Sequence, residues 1–281
     1  MVIDRRKGSR AAARAAAFYA LLLAGALLML LPVLWMVSAS FMARSDIVSS
    51  PVNLLPPSLR LQNYQEIFTL FNIGHYLLNS IIVTGTVIVL NVVFCTMTGY
   101  SLAKFRYPGR NLVFGFILGT FMIPFTVLAI PLYLLVRSLD WIDSYQGLIA
   151  PFALTAFGVF LMRQFIANIP DEYIEAARID GASEARIFLR IITPLCRPAM
   201  ATLAILTFVT NWDEFLWPLI VTTTDQHRTI TVGLAYFLEQ HQNQWHLLMA
   251  GAVVAAVPSV ILFLVAQRKF LESAGGISGI K

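Results

Sequence analysis

Polar residues interrupt this chain at wide intervals, and the apolar runs between them are long. A helix needs about 20 apolar residues to cross the hydrocarbon core of a bilayer. Six runs qualify, at 17–39, 76–103, 111–136, 144–162, 198–221 and 247–267. Only the fifth contains charged residues, Asp213 and Glu214. The short alternating strands of a membrane barrel are absent. The pattern predicts an all-α membrane protein, a bundle of six transmembrane helices spanning 17–267, with termini at 1–16 and 268–281.

Composition agrees. Of 281 residues, 58% are hydrophobic and 12% charged, about half the charge usual for a soluble domain. The net charge of +5 could suggest a nucleic-acid partner, but its placement argues otherwise. Sixteen of the basic residues fall on one side of the six crossings and four on the other. The rich side holds Arg5 to Arg14, Lys104 to Arg110, Arg163 to Arg197, and the tail. The positive-inside rule then places both termini in the cytoplasm. The first apolar run exceeds the 7–15 residues of a signal peptide, so it reads as an uncleaved helix. Cys95 and Cys196 fall at different depths, which disfavours a disulfide.

Three segments lie on the far side. Residues 41–75 read as a loop with short helical pieces, and the segment near Asp140 to Asp143 is short. Residues 222–246 read as a loop whose histidines, His227, His241 and His246, are solvated; their spacing supports no metal site. Gly115 with Gly119, and Gly251 with Ala255, are small-xxx-small pairs that permit close helix packing.

On the cytoplasmic side, residues 169–195 form a long loop of mixed charge. Pro170, Asp171 and Glu172 suit a helix start. Glu175 to Arg178 are strong helix formers. Gly181 suits a left-handed stop, and Ser183 can cap a second helix running towards Pro194. The expected product is a helical hairpin just below the membrane, with Glu175 free to meet a basic group on a partner.

This stretch resembles the EAA loop of ATP-binding-cassette (ABC) importer permeases. Glu175-Ala176-Ala177, then Gly181, Ile191 and Pro194 carry the likeness, with Thr193 where that family usually has Leu. Further similarities are Leu78-Asn79-Ser80, Gly99 to Gly109, Asn211 to Pro218, Thr229 to Leu234 and Gln267-Arg268, and these resemble the carbohydrate-importing, MalG-like branch. The glycine-rich Ala274 to Gly279 is similar too, although the chain ends in Ile280-Lys281 rather than Lys-Gly. The resemblance implies a coupling helix that docks on a cytoplasmic ATPase through Glu175, Ala176, Ala177, Asp180 and Gly181. It implies a second homologous permease subunit, two ATPase subunits holding ATP and magnesium, and an extracytoplasmic solute-binding protein. It also implies a bacterial inner-membrane location and alternating-access import of a sugar or oligosaccharide, with glycerol 3-phosphate or a polyol as the alternative.

In the fifth span, Thr207, Thr210, Asn211, Asp213 and Glu214 cluster on one side at helical spacing. Carboxylates at membrane depth default to a functional hypothesis. The stripe either borders the translocation pathway or locks the span to its neighbours. An ion-coupled secondary transporter is the rival class, opposed by the EAA-like loop and the lack of an inverted repeat. No phosphate-binding loop, nucleophile elbow or metal motif occurs, so no catalytic, cofactor or metal residue is expected on this chain.

Overall fold

The computed structural model describes residues 5–49 and 53–275. The helices, in order, are α1 (Arg5–Ala39), α2 (Arg44–Ile47), α3 (Gln62–Leu70), α4 (Ile73–Lys104), α5 (Arg110–Phe121), α6 (Phe125–Ser138), α7 (Tyr145–Ile149), α8 (Ala156–Ala167), α9 (Glu172–Ile179), α10 (Glu184–Ile187), α11 (Thr193–Leu195), α12 (Arg197–Trp212), α13 (Leu216–Val221), α14 (Ile230–Gln240) and α15 (Trp245–Gly275). A 3-10 turn covers Ala150–Phe152 and a π-helical turn Phe188–Ile192. No strand occurs among the described residues. The tail beyond residue 275 lies outside them.

Three stretches are long and apolar enough to cross a membrane unaided: Arg14–Ala39, Ile73–Lys104 and Trp245–Gln267. The count reaches six when helix pairs bent at a short break are each taken as one span. The third, fourth and fifth spans, expected as continuous helices, are therefore broken. Between α5 and α6 the axis turns by 104°, where Pro124 supplies no N–H. The fourth span bends by 44° between the 3-10 turn and α8. A 74° bend at Cys196 leads into α12.

The fifth span breaks again after Trp212, and Pro218 explains why. A proline ring clashes with the carbonyl four residues earlier, here Glu214. The helix stops at Trp212 and restarts at Leu216. The Glu214 carbonyl instead accepts from Thr231 Oγ1 at 3.0 Å. Asp213 and Glu214 thus sit in the break, off the regular face that carries Thr207, Thr210 and Asn211.

The chain forms two compact units, residues up to Asn72 with Tyr236–Ala256, and Ile73–Ala235 with residues from Val257 on. In the first, the apolar window of α1 is wholly exposed. The buried Asn63 of α3 donates to the carbonyls of Ser40 and Met42 at 2.8 and 2.9 Å, pinning α3 to the end of α1. Phe71 packs edge-on against Phe237 and His241, each at 4.6 Å between ring centres.

In the second unit, α4 packs chiefly on α8 and α12. Two glycines permit this approach. A Cβ on Gly99 would lie 2.8 Å from the Arg163 amide, and one on Gly158 would lie 2.6 Å from Cys95 Sγ. Both cysteines are buried and free. By contrast, nothing among the described residues lies within 4 Å of a Cβ on Gly115 or Gly119, so that small-residue pair packs on none of them.

Residues 222–246 depart from the expected loop. They include α14, and all three histidines are partly buried rather than solvated. His241 meets Phe71 edge-on, while His227 sits edge-on to Tyr145 and 3.7 Å from Asp143. The apolar run at 230–238 is what makes this helix.

Candidate functional site

The EAA-like loop folds as a hairpin. Asp171 precedes α9, and α9 ends in a turn with Gly181 at φ +76°. The Gly181 N–H donates to the Arg178 carbonyl at 3.0 Å and the Ala182 N–H to the Ala177 carbonyl at 2.9 Å. This pair is the Schellman pattern, which satisfies the orphan carbonyls at a helix C-terminus. Ser183 then caps α10, its hydroxyl accepting from the Arg186 N–H at 3.4 Å. The second helix does not run evenly to Pro194. It widens into the π-helical turn, which holds the Arg190 carbonyl that the Pro194 ring would clash with in a regular helix.

The hairpin is fixed to the bundle by one apolar seat and two polar links. Ile174, Ile187 and Ile192 are buried with Tyr100, Leu102, Met162 and Ile166. Burying each isoleucine contributes about 1.5–3 kcal/mol as an upper bound. Lys104, the last residue of α4, meets Asp171 Oδ1 at 2.5 Å and also donates to the Ile169 carbonyl. Glu184 accepts from Arg178 Nε at 2.8 Å and from the Tyr100 hydroxyl at 3.1 Å. Hydrogen bonding to Lys104 lowers the Asp171 pKa, and hydrogen bonding to Arg178 lowers that of Glu184 against a smaller opposing effect of burial.

The predicted residues divide between the two sides of α9. Glu175, Ala176 and Asp180 are exposed, whereas Ala177 is half-buried against the core. Tyr173 and Ile179, which the sequence reading did not single out, are 55% and 86% exposed. With Ala176 between them they give the outer face an apolar character. Spacing of three residues was the signal available for finding them.

In α12, Thr207 is buried and its hydroxyl reaches Asn91 Oδ1 at 3.5 Å. Thr210 is exposed and bonds back to the carbonyls of Leu206 and Thr207. Asn211 donates to the Thr207 carbonyl at 3.0 Å. Asp213 is exposed, and Glu214 Oε1 accepts from the Trp217 N–H at 3.1 Å, capping α13. The five residues therefore do not form one stripe. Thr207 and Glu214 are engaged structurally, while Thr210, Asn211 and Asp213 keep groups open to their surroundings.

Two buried asparagines of α4 were missed as site residues. Asn91 donates to the Phe152 carbonyl at 3.0 Å and to Thr155 Oγ1 at 3.2 Å, closing the break in the fourth span. Asn79 donates to the carbonyls of Gln226 and Arg228 at 3.0 and 2.9 Å, and accepts from the Tyr145 hydroxyl at 2.7 Å. Ser80 accepts from the Ile230 N–H at 2.8 Å. Asp143 accepts from the Thr223 N–H and, at 2.5 Å, from the Thr224 hydroxyl. Burial raises the Asp143 pKa, but these bonds outweigh it and the net shift is downward. Residues 222–230 are thus tied to the opposite end of α4 from the hairpin.

A bundle of broken spans with a helical knob rigidly held at one end defines a membrane permease. The chain belongs to the family of binding-protein-dependent transport system inner membrane components, whose model matches residues 95–271. It is 37% identical over 255 residues to the arabinooligosaccharides transport system permease protein AraQ of Halalkalibacterium halodurans, covering 88% of this chain and 91% of that one. It is 33% identical over 262 residues to the sn-glycerol-3-phosphate transport system permease protein UgpE of Yersinia pestis, covering 90% and 92%. The crystal structure of a bacterial ABC transporter involved in the import of the acidic polysaccharide alginate matches with a TM-score of 0.78 at 25% identity, over 95% of this chain and 98% of that one. The chain is accordingly an inner-membrane ABC importer permease, the class its motifs resemble. Membership of that family excludes the ion-coupled transporter.

Proposed function

We propose that this permease imports a neutral sugar or oligosaccharide, driven by ATP hydrolysed on partner subunits. α9 is the lever. The observation that supports this most strongly is the rigid hairpin, seated on α4 inside and bare outside. Tyr173, Ala176 and Ile179 supply apolar contact for an ATPase cleft, Glu175 and Asp180 supply charge at its rim, and Gly181 makes the turn. Ala177 works from the inner side, where its small size lets α9 lie close to the core.

Basic-residue placement supports a cytoplasmic position for the hairpin and both termini. ATP would draw two ATPases together beneath this chain and a second permease. Each α9 then moves with its ATPase, and because Lys104 and Glu184 join it to α4, the bundle moves too. Cargo would arrive from a solute-binding protein on the side of residues 222–230.

The relatives named above transport arabinooligosaccharides and glycerol 3-phosphate. The exposed carboxylate of Asp213 in the fifth-span break favours the neutral cargo, since a phosphate dianion would be repelled there. Proteoliposomes with the partner permease, ATPases and binding protein test the reading. ATP-dependent uptake of arabinotriose is expected. Uptake of glycerol 3-phosphate instead, with no neutral sugar carried, overturns the cargo assignment.

A further inference from the structure

The rim made by residues 222–230 and the turn before α7 holds one incomplete contact. The side chains of His227 and Asp143 are each only 16% exposed. His227 Nδ1 is buried with no hydrogen-bond partner among the described residues, and it lies 3.7 Å from Asp143 Oδ1. Both partners are held in place. The imidazole stands edge-on to Tyr145, whose hydroxyl is committed to Asn79 of α4. Asp143 accepts from the Thr223 N–H and the Thr224 hydroxyl, and its own N–H donates to the Val221 carbonyl at 2.9 Å.

The other titratable groups around this ring are engaged elsewhere. On the same segment, Asp225 pairs with Arg228 and accepts from the Tyr76 hydroxyl of α4 at 2.9 Å. His75 of α4 meets the Gln226 carbonyl at 2.9 Å. Asp143 is thus the carboxylate that His227 Nδ1 faces. A neutral imidazole has one proton, which either leaves Nδ1 empty or gives an uncharged bond, whereas an imidazolium donates from both nitrogens. Protonation therefore turns the gap into a charge-assisted bond, the stronger kind. Histidine changes charge between about pH 5 and 8. Asp143 stays ionised there, since its hydrogen bonds outweigh burial and lower its pKa.

We infer that His227 is a proton-operated latch, closing on Asp143 in acid and stiffening the rim at residues 222–230. The latch is fully formed at the acid end of the histidine range and is lost as pH rises through it. That it senses the outside of the cell rests on the topology proposed above. The test uses the assembled complex in lipid nanodiscs. Hydrogen exchange of residues 222–230, corrected for intrinsic rates, is compared at about pH 8 and about pH 5.5. Protection is expected to rise about fivefold in acid, the effect of one partly screened ion pair. The α9 helix in the same complex should not change over this range. His227→Gln and Asp143→Asn should each abolish the rise. Asparagine tolerates the φ of +53° at position 143, so the second variant leaves the turn unstrained.

Equal wild-type protection at the two pH values overturns the latch, whatever the variants do. So does a fall in acid, or a rise that survives in both variants. Sealed right-side-out vesicles separate the latch from the topology. A response that follows external pH supports both. A response that follows internal pH keeps the latch but overturns the topology, and with it the outward sensing.

Discussion

Lys104 and Asp171 meet at 2.5 Å, joining the last residue of α4 to the residue that begins the α9 hairpin. The lysine side chain is only 6% exposed and the aspartate 63%. Solvent on the aspartate weakens the pair, but the buried ammonium also bonds the Ile169 carbonyl and cannot easily turn elsewhere. The link is thus a mechanical joint more than a store of stability.

Lys104→Met should loosen that joint. A lost charge-assisted contact of about 1 kcal/mol, discounted for exposure, corresponds to roughly fivefold in a coupled equilibrium. Transport per ATP hydrolysed is expected to fall by about that factor while complex assembly persists. Unchanged coupling ratios in proteoliposomes would show that the hairpin is held by its apolar seat alone.

Acid should release the hairpin in a defined window. Asp171 and Glu184 have pKa values lowered on folding. A lowered carboxylate stabilises the folded form above its unfolded value, near 4, and loses that contribution as pH falls through the folded value. Hydrogen-exchange protection of α9, corrected for intrinsic rates, should stay level from about pH 8 to 5 and decline below about pH 4. About 1 M salt should also lower it at neutral pH.

Two glycines should fail for opposite reasons. Gly181 has open space around it but a positive φ, so Gly181→Val strains the backbone by about 1–3 kcal/mol and should uncouple ATPase from transport. Gly181→Asn, which tolerates that conformation, should retain most coupling. Gly158 instead lacks room, with Cys95 Sγ 2.6 Å from a Cβ. Gly158→Ala should lower complex stability by about 1–3 kcal/mol, and Cys95→Ala in the same chain should recover part of it. Thermal unfolding of the purified complex separates the two cases.

Glu214 offers a charge test. Its carboxylate caps α13 through the Trp217 N–H. Glu214→Gln keeps an acceptor and should preserve folding, whereas Glu214→Leu should cost about 1 kcal/mol. If Glu214→Gln transports at the wild-type rate, the residue serves the break in the helix and not the solute.

Much of this fold was legible from residue order. Six apolar runs marked the apolar helices, and Gly181 with Ser183 marked the hairpin turn and cap, because each signal is local. The breaks were harder to read. Pro218 and Pro124 sit in runs apolar enough to pass as unbroken helix, and whether a proline kinks or stops a helix depends on what repairs the freed carbonyl. At Glu214 that repair comes from Thr231, seventeen residues away. Asn79 and Asn91 were invisible as hubs for the same reason, since their partners lie at Tyr145, Phe152 and Arg228. Of the candidate site, Glu175, Ala176 and Asp180 were named through the family resemblance, Tyr173 and Ile179 beside them were not, and the inward turn of Ala177 depended on the core beneath it.

The Thr231 bond at the fifth-span break has a further meaning. Thr231 stands one residue after Ile230, whose amide is clasped by Ser80 of α4, so the rim of the bundle and the discontinuity within it share a single hinge pin. A protein pressing on that rim needs no relay of rearranging side chains to be felt at depth. A load there would reach a point where backbone continuity is already interrupted.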